Sequence, residues 1–134
     1  MSRRLILDTG VLIAIERGKV IIDHVIHEDD DVAIAVITVA ELMVGVELAD
    51  EGRRQRRQEL VDDLLSAMPI EPYGHGTARA HARLLAHVKR VGKPRGAHDL
   101  IVAATAVATG RSVLTSDSAA NWTELPDVTA VTVV

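Results

Sequence analysis

The sequence has no cysteine and no phenylalanine, and only one tyrosine and one tryptophan among its 134 residues. Without cysteine the protein cannot form disulfides or thiolate metal sites, so any bound metal must use oxygen or imidazole ligands. The scarcity of aromatic side chains argues against a surface on which bases stack, as in single-strand-binding modules. If the protein handles nucleic acid, we expect it to use contacts to the phosphate backbone and a metal.

Long apolar runs and an excess of positive charge are also missing. Hydrophobic residues make up 48% of the chain, yet no run approaches the ~18 apolar residues of a membrane helix. The formal net charge is −4, from 15 basic and 19 acidic residues, a balance that by itself argues mildly against a polyanionic partner. We therefore expect a cytoplasmic protein, with no membrane association, that forms one domain over residues 1–134.

The hydrophobic pattern predicts strands that alternate with helices. Apolar runs predict strands at residues 5–7, 32–37, 112–115 and 128–134, with a further brief strand at the proline-flanked Ile70. Apolar residues at helical spacing predict helices near residues 11–15, 20–26, 38–50, 53–68, 77–91 and 97–109. Strands that are apolar on both faces and alternate with helices indicate an α/β fold, in which helices cover a parallel sheet.

Four acidic residues fall at related places in this pattern. Asp8 and Asp117 follow predicted strands, Glu41 comes soon after another, and Asp99 lies at the start of a nearly apolar helix. The carboxyl ends of the strands in an open parallel sheet form a ligand crevice, so we expect the four side chains to lie together. Each acid also has a structural explanation. Asp8 and Asp99 could be helix caps, Thr38 and Glu41 match a capping box, and Asp117 could close a turn.

The four acids together favour a metal site over four separate caps. Like charges about 4 Å apart repel by about 4 kcal/mol per pair at an effective dielectric constant near 20, which capping alone would not offset. Carboxylates without cysteine suit Mg²⁺ or Mn²⁺, hard ions that retain water and bind substrate phosphate. The other 15 acidic residues balance the 15 basic ones, so a metal-loaded site need not repel a polyanion.

Four motifs carry a family resemblance. In chain order they are LILDTGVLIAI, TVAELMVGV, AHDLIVAATAVATG and VLTSD, and together they extend over nearly the whole sequence. With them the chain resembles the PIN-domain ribonucleases, specifically the VapC toxins of bacterial toxin–antitoxin pairs. The resemblance implies a three-layer α/β/α fold with a five-stranded parallel sheet. It also implies an Mg²⁺- or Mn²⁺-dependent endoribonuclease that hydrolyses RNA with metal-activated water.

The resemblance also assigns residues and partners. The family's metal-site acids are matched by Asp8, Glu41, Asp99 and Asp117, the last at a position where family members vary between Asp and Asn. Thr9 and Thr115 would hydrogen-bond ligands or water beside these acids. The implied partners are an RNA substrate, a VapB-type antitoxin that binds a groove near the site, and a second copy of the chain in a homodimer.

Two groups of basic residues are candidates for RNA contacts. Lys93 and Arg95 lie in the loop before Asp99, close to the expected site. A second group, in the fourth predicted helix, comprises Arg53, Arg54, Arg56 and Arg57. A basic ridge there would guide phosphates, although a helix of this kind needs a solvated polar face in any case.

Three other functions are compared with this hypothesis. A phosphatase of the haloacid dehalogenase type needs a second aspartate where this chain has Gly10, and a receiver domain needs an aspartate where Glu71 and Pro72 stand. The third function, from a different class, is a non-catalytic RNA-binding or adaptor module with a PIN-like fold. The presence of all four acids favours the nuclease over this module.

Overall fold

The centre of the protein is a five-stranded parallel sheet, seen in a computed structural model that describes residues 2–133. Its strands are β1 (Arg4–Leu7), β2 (Asp31–Ala35), β3 (Ile70–Glu71), β4 (Ser112–Thr115) and β5 (Ala130–Thr132). They lie in the order β3-β2-β1-β4-β5, and each neighbouring pair is parallel. The chain first builds the sheet outward from β1 on one side and then on the other. The topological switch point therefore lies between β1 and β4.

Helices connect the strands. They are α1 (Thr9–Glu16), α2 (Ile22–Val25), α3 (Val36–Glu47), α4 (Glu51–Ala67), α5 (His75–Val91), α6 (Ala97–Thr109) and α7 (Ala119–Thr123). None of the helices within residues 2–133 is long and apolar enough to cross a bilayer.

Alternate residues of the strands supply two hydrophobic cores, one on each face of the sheet. Leu5 and Leu7 pack with side chains of α1, α3 and α4. Ile6, which points to the other face, packs with side chains of α5 and α6. Because helices cover β1 on both faces, its apolar residues form an unbroken run rather than an alternating one. The predicted three-layer α/β/α arrangement is confirmed.

Several element boundaries differ from the predictions. The strand predicted at residues 32–37 ends at Ala35, and Val36 begins α3. The last strand covers only Ala130–Thr132, and residue 134 lies outside the described part of the chain. Helix α7 was not predicted, because five residues are too few to show a helical period. Apolar composition reports burial, and it does not mark the point where a buried strand becomes a helix.

The apolar spacing in the sequence predicts that Leu60, Val61, Leu64, Leu65 and Met68 form the buried face of α4, and this prediction is wrong at one position. Leu60 is 39% exposed, whereas Val61 and Met68 are buried against α3 and the sheet, with Leu64 and Leu65 partly buried. The helix places consecutive residues 100° apart, so Leu60 and Val61 cannot both point into the same narrow contact.

A buried arginine that the sequence analysis missed ties several strands together. Arg111 lies just before β4, and its side chain is 5% exposed. One guanidinium nitrogen donates to the carbonyl oxygens of Leu5 and Asp31 at 3.3 and 2.8 Å and to the Asp31 carboxylate at 3.0 Å. The other donates to the Glu71 carboxylate at 3.2 Å. A single side chain from β4 thus contacts β1, β2 and β3.

Another ion pair, Arg3 with Asp30, joins the amino end of β1 to the turn before β2. The Asp30 side chain is 1% exposed and accepts hydrogen bonds from the Arg3 guanidinium at 2.6 and 3.0 Å and from the backbone N–H of His27 at 2.7 Å. The Arg3 hydrogen bonds are the main reason that the pKa of Asp30 falls from 3.8 to about 2.

This ion pair predicts a pH-dependent stability. We expect Asp30→Asn to lower the free energy of unfolding at pH 7 by about 2 kcal/mol, the usual size for hydrogen bonds between charged groups. Because folding lowers the pKa of Asp30, its stabilising effect is complete above pH about 4 and is lost as the pH falls through about 2. Denaturant titrations of both proteins at pH 7, 4 and 2 would measure the difference. A difference that stayed constant across these pH values would contradict the prediction.

Candidate functional site

The four predicted acids lie where the central strands end or where the following helices begin. Asp8 directly follows β1, and Asp117 lies two residues after β4. Glu41 is in the second turn of α3, the helix that follows β2, and Asp99 is the third residue of α6. All four positions therefore lie at the carboxyl edge of the sheet, around the switch point between β1 and β4.

Asp8 is fixed by its backbone and by its side chain. Its N–H donates to the carbonyl oxygen of Leu114 at 2.9 Å, which continues the pairing of β1 with β4. One carboxylate oxygen caps α1 by accepting from the N–H of Gly10 at 3.4 Å. The other accepts from the Thr115 hydroxyl at 3.0 Å. Asp8 is thus a helix cap, and it also belongs to the acidic cluster.

The Thr115 hydroxyl connects three segments of the site. It donates to Asp8 and accepts from the backbone N–H of Asp117 at 3.1 Å and from the Trp122 indole at 3.2 Å. Thr115 is fully buried and Trp122 is 5% exposed. This one hydroxyl therefore sets the positions of Asp8, of the segment that carries Asp117, and of α7.

Glu41 is held by residues from two other helices. The Thr9 hydroxyl donates to one of its carboxylate oxygens at 2.8 Å, and the His98 ring lies 3.4 Å from the other. The sequence analysis did not predict the contact of His98, which lies beside Asp99 on α6, with Glu41. The packing of α3 near α6, which the sequence does not show, brings the ring to Glu41.

Two of the structural explanations for the acids are wrong. Ala35 is the N-cap of α3, so Thr38 lies inside the first turn and does not form the capping box with Glu41. Gly96 is the N-cap of α6, so Asp99 is not a cap either. Its carboxylate lies close over Gly96, where an added Cβ would be 3.2 Å from the Asp99 Oδ2 atom. Neither carboxylate is therefore used to cap its helix.

Two of the four acids, Asp8 and Asp99, have a raised pKa. Burial is the main cause of the raised pKa of Asp8, and the charges of Asp99 and Asp117 add to it, while the Thr115 hydrogen bond opposes it. Burial also raises the pKa of Asp99, and Glu41 and Asp117 add to that shift. All four carboxylates therefore lie within electrostatic reach of at least one other, which concentrates negative charge at this edge of the sheet.

The chemistry of the cluster fits a hard divalent cation. Its donor atoms are carboxylate oxygens, and the hydroxyl groups of Thr115 and Thr9 hydrogen-bond to two of the carboxylates. The charges of Arg95 and His98 only partly offset the negative charge around Asp99. No three His, Asp or Glu side chains among residues 2–133 are arranged to enclose one ion. Mg²⁺ commonly takes one or two carboxylates and completes its shell with water and substrate phosphate, so it does not need such an enclosure.

Gly10 allows the loop after β4 to approach α1 closely. A Cβ at this position would lie 3.2 Å from the Ser116 hydroxyl and 3.7 Å from the Asp8 carboxylate. The residue that argued against a dehalogenase-type phosphatase thus has a steric role, since a Cβ here would crowd the Ser116 side chain, which would have to move by a few tenths of an ångström.

Most of the predicted basic contacts are occupied within the molecule. Arg95 forms an ion pair with Glu124 at 2.7 Å and donates to the carbonyl oxygen of Asn121, which attaches the loop before α6 to α7. Lys93 is exposed. In the predicted ridge, Arg53 forms an ion pair with Asp50, and Arg57 forms one with Glu16. Arg54 donates to two backbone carbonyl oxygens at the end of α3.

The Thr115 hydroxyl predicts a measurable link between stability and the environment of Trp122. We expect Thr115→Val, which keeps the shape of the side chain, to lower the free energy of unfolding by about 2 kcal/mol, because it leaves buried donors without their acceptor. Emission of Trp122, the single tryptophan, should shift as its indole loses this bond. Thr115→Ser, which keeps the hydroxyl, is the control. Equal stability and emission in the two variants would contradict the role of the hydroxyl.

Comparisons with known proteins agree with this architecture. The sequence matches the PIN domain family over residues 5–124. It is 37% identical to Ribonuclease VapC5 of Mycobacterium tuberculosis over 84% of this chain and 82% of that protein. It is 29% identical to Ribonuclease VapC of Rickettsia bellii over 96% of both chains. A crystal structure of a member of the VapBC family of toxin–antitoxin systems, VapBC-5 from M. tuberculosis, superposes with a TM-score of 0.78 at 31% identity and covers 97% of this chain and 98% of that one. The chain therefore belongs to the PIN-domain family and, within it, to the VapC group.

Proposed function

We propose that the protein is the toxin of a toxin–antitoxin pair and acts as an endoribonuclease. The observation that carries the proposal is the group of four acids at the switch point, where Asp8 and Asp99 have raised pKa values partly because the other acids repel them. The names of the relatives, ribonucleases of the VapC group, support the same activity. An acidic site repels RNA, so it can act on this polyanion only when a bound cation offsets the negative charge of the carboxylates.

We further propose that the site works with Mg²⁺ or Mn²⁺. Asp8 and Asp99 would hold the ion directly, with Glu41 and Asp117 beside them. The ion supplies two effects when it is bound, a lower pKa for a water molecule and neutralisation of charge on the phosphate and the leaving oxygen. No nucleophilic side chain is required for hydrolysis in this scheme.

The neighbouring residues orient the carboxylates. Thr115 donates to one oxygen of Asp8, and Thr9 donates to one oxygen of Glu41, so each acid presents a fixed oxygen to the site. His98 is 3.4 Å from the second oxygen of Glu41, where a charged ring would stabilise the carboxylate. Residues of this kind hold ligands in position, and their loss commonly costs about 10–100-fold in activity or metal affinity.

Asp99→Asn tests the proposed catalysis. The change keeps the shape of the side chain but removes a charged oxygen that would hold the metal, so we expect cleavage to fall by about 100-fold or more. We expect no loss of stability, because the change also removes one of the mutually repelling charges. The assay is cleavage of total cellular RNA by the purified protein with Mg²⁺, with Mn²⁺ and with EDTA. Asp23→Asn, the same change at an exposed acid on α2, is the matched control.

The outcomes separate the nuclease from the adaptor module. Discrete fragments that require both a metal and Asp99 would establish the nuclease, and mapping of their ends would identify its target. Retained cleavage in Asp99→Asn would rule out the proposed site. If the folded wild-type protein bound RNA or an antitoxin and cleaved nothing in any metal, the non-catalytic module would be the better description.

We propose a VapB-type antitoxin as the protein partner and a homodimer as the state of the toxin, both in the cytoplasm. The structural relative named above is a VapBC toxin–antitoxin system. On this chain, Val44 of α3 is 54% exposed, and Leu48, the C-cap residue of the same helix, is 81% exposed. Beside them lies a groove whose walls include Leu42, Glu41 and Arg57. Exposed apolar side chains next to a site acid fit an inhibitory partner that covers the site.

Leu48→Asp tests this surface. We expect the substitution to weaken the complex with the cognate antitoxin by about tenfold or more, since it places a charge in an apolar contact. Leu85→Asp, on an exposed position of α5, is the control. Affinity can be measured by calorimetry. Unchanged affinity in Leu48→Asp would exclude Leu48 from the interface.

The homodimer is tested separately. Light scattering of the toxin alone should give twice the 14.4 kDa mass of one chain, and a monomeric mass would exclude the homodimer.

A further inference from the structure

Helix α5 has an unusual charge for this protein. It contains Arg79, Arg83, Lys89 and Arg90 and no acidic residue, although the chain as a whole carries a net charge of −4. Positive charge is thus concentrated on one helix of an acidic protein. A concentration of this kind is typical of a surface that binds a polyanion.

Three of these residues share one face of the helix. At 3.6 residues per turn, Arg79, Arg83 and Arg90 fall within an arc of about 40°. Residues on the other side of the helix, among them Thr77 and Leu84, are buried. All three arginines are exposed, and they extend over about 16 Å of the helix axis. We call these three residues the α5 basic stripe.

The α5 basic stripe is not engaged by acidic side chains. Over residues 2–133, none of its three side chains forms an ion pair, whereas Arg3, Arg57, Arg95 and Arg111 each contact a carboxylate. An arginine that is already paired must break that contact before it binds a phosphate. The stripe can bind an anion without that cost, whereas Arg53 and Arg57 of the ridge predicted on α4 are already paired with carboxylates.

One end of the stripe leads towards the acidic site. Helix α5 ends at Val91, and Gly92, in the left-handed conformation with φ of 74°, turns the chain into the loop before α6. A cavity of about 300 Å³ lies at this end, lined by His87, Val88, Val91, Lys93, Arg95, Glu124 and Leu125. Arg95 in its wall is close enough to lower the pKa of Asp99. The cavity is thus lined both by the last turns of α5, the helix that carries Arg90, and by the loop that leads to Asp99.

We propose that the α5 basic stripe holds the sugar–phosphate backbone of the RNA substrate and directs it through this cavity to the acids. The inference rests on the proposed ribonuclease function and adds to it the route of the substrate. Three arginines along one helix face match a strand of repeated negative charges. The low aromatic content favours binding through phosphates over binding through stacked bases.

The test compares two variants with the same loss of charge. One is Arg79→Gln/Arg83→Gln/Arg90→Gln, which removes the stripe. The matched control is Arg4→Gln/Arg17→Gln/Lys19→Gln, which removes three exposed charges that lie outside both the stripe and the candidate ridge on α4. Binding of a labelled 20-nucleotide RNA of mixed sequence is measured by fluorescence anisotropy in EDTA at several KCl concentrations. Thermal melts show that both variants fold.

The salt dependence of binding gives the expected result. Each phosphate contact contributes about 0.7 to the slope of log K against log salt for single strands, so the stripe variant should lose about 2 units of slope. The control should keep the slope of the wild-type protein. In Mg²⁺ the stripe variant should cleave RNA with a raised KM and an unchanged kcat, because it loses substrate binding and keeps the acids.

Three results would overturn the inference. The first is an unchanged slope in the stripe variant, and the second is an equal fall in the stripe variant and the control. The third is a stripe variant that binds RNA normally and loses only the antitoxin, which would make the stripe a protein interface. If the wild-type protein cleaved RNA in any of these cases, the proposed nuclease would still stand. Conversely, a slope that fell only in the stripe variant, in a protein without cleavage, would support the stripe and contradict the nuclease.

Discussion

The hydrogen bond from the Thr115 hydroxyl to Asp8 joins the ends of the two central strands. It places a carboxylate in a buried position beside three other acids, and the same hydroxyl fixes the segment of Asp117 and the indole of Trp122. Burial and mutual repulsion then raise the pKa of Asp8 and Asp99. The proposed activity depends on this arrangement, since carboxylates forced together in this way attract a cation.

The distribution of charge gives the molecule two distinct regions. The carboxyl edge of the sheet is negative, whereas α5 presents arginines that no acidic side chain neutralises among the residues described. A ribonuclease must attract a polyanion to a site that is itself acidic, and separating the two charges on neighbouring elements meets that requirement. The ion pair of Arg95 with Glu124 lies between the regions and anchors the loop from which α6 begins.

Much of the fold could be predicted because burial on both faces leaves a clear pattern. The apolar run at Leu5 to Leu7 predicted the central strand, and the alternation with helices predicted the parallel sheet. The end of β2 at Ala35 could not be found in this way, because Val36 and Ile37 are as apolar as the strand before them. Arg111 was missed since its partners, Asp31 and Glu71, are distant in sequence and meet it only after the strands have paired.

The sequence by itself determined the types of residue at the site and which strand or helix each one follows or belongs to, since strand and helix patterns depend on neighbours along the chain. It therefore placed Asp8, Glu41, Asp99 and Asp117 at one edge of the sheet. The tertiary structure alone decided which side chains meet there. Helix packing brings His98 to Glu41 and Arg95 to Glu124. It also leaves the α5 basic stripe without acidic partners within residues 2–133. Packing is set by the whole core, and no local pattern of residues records it.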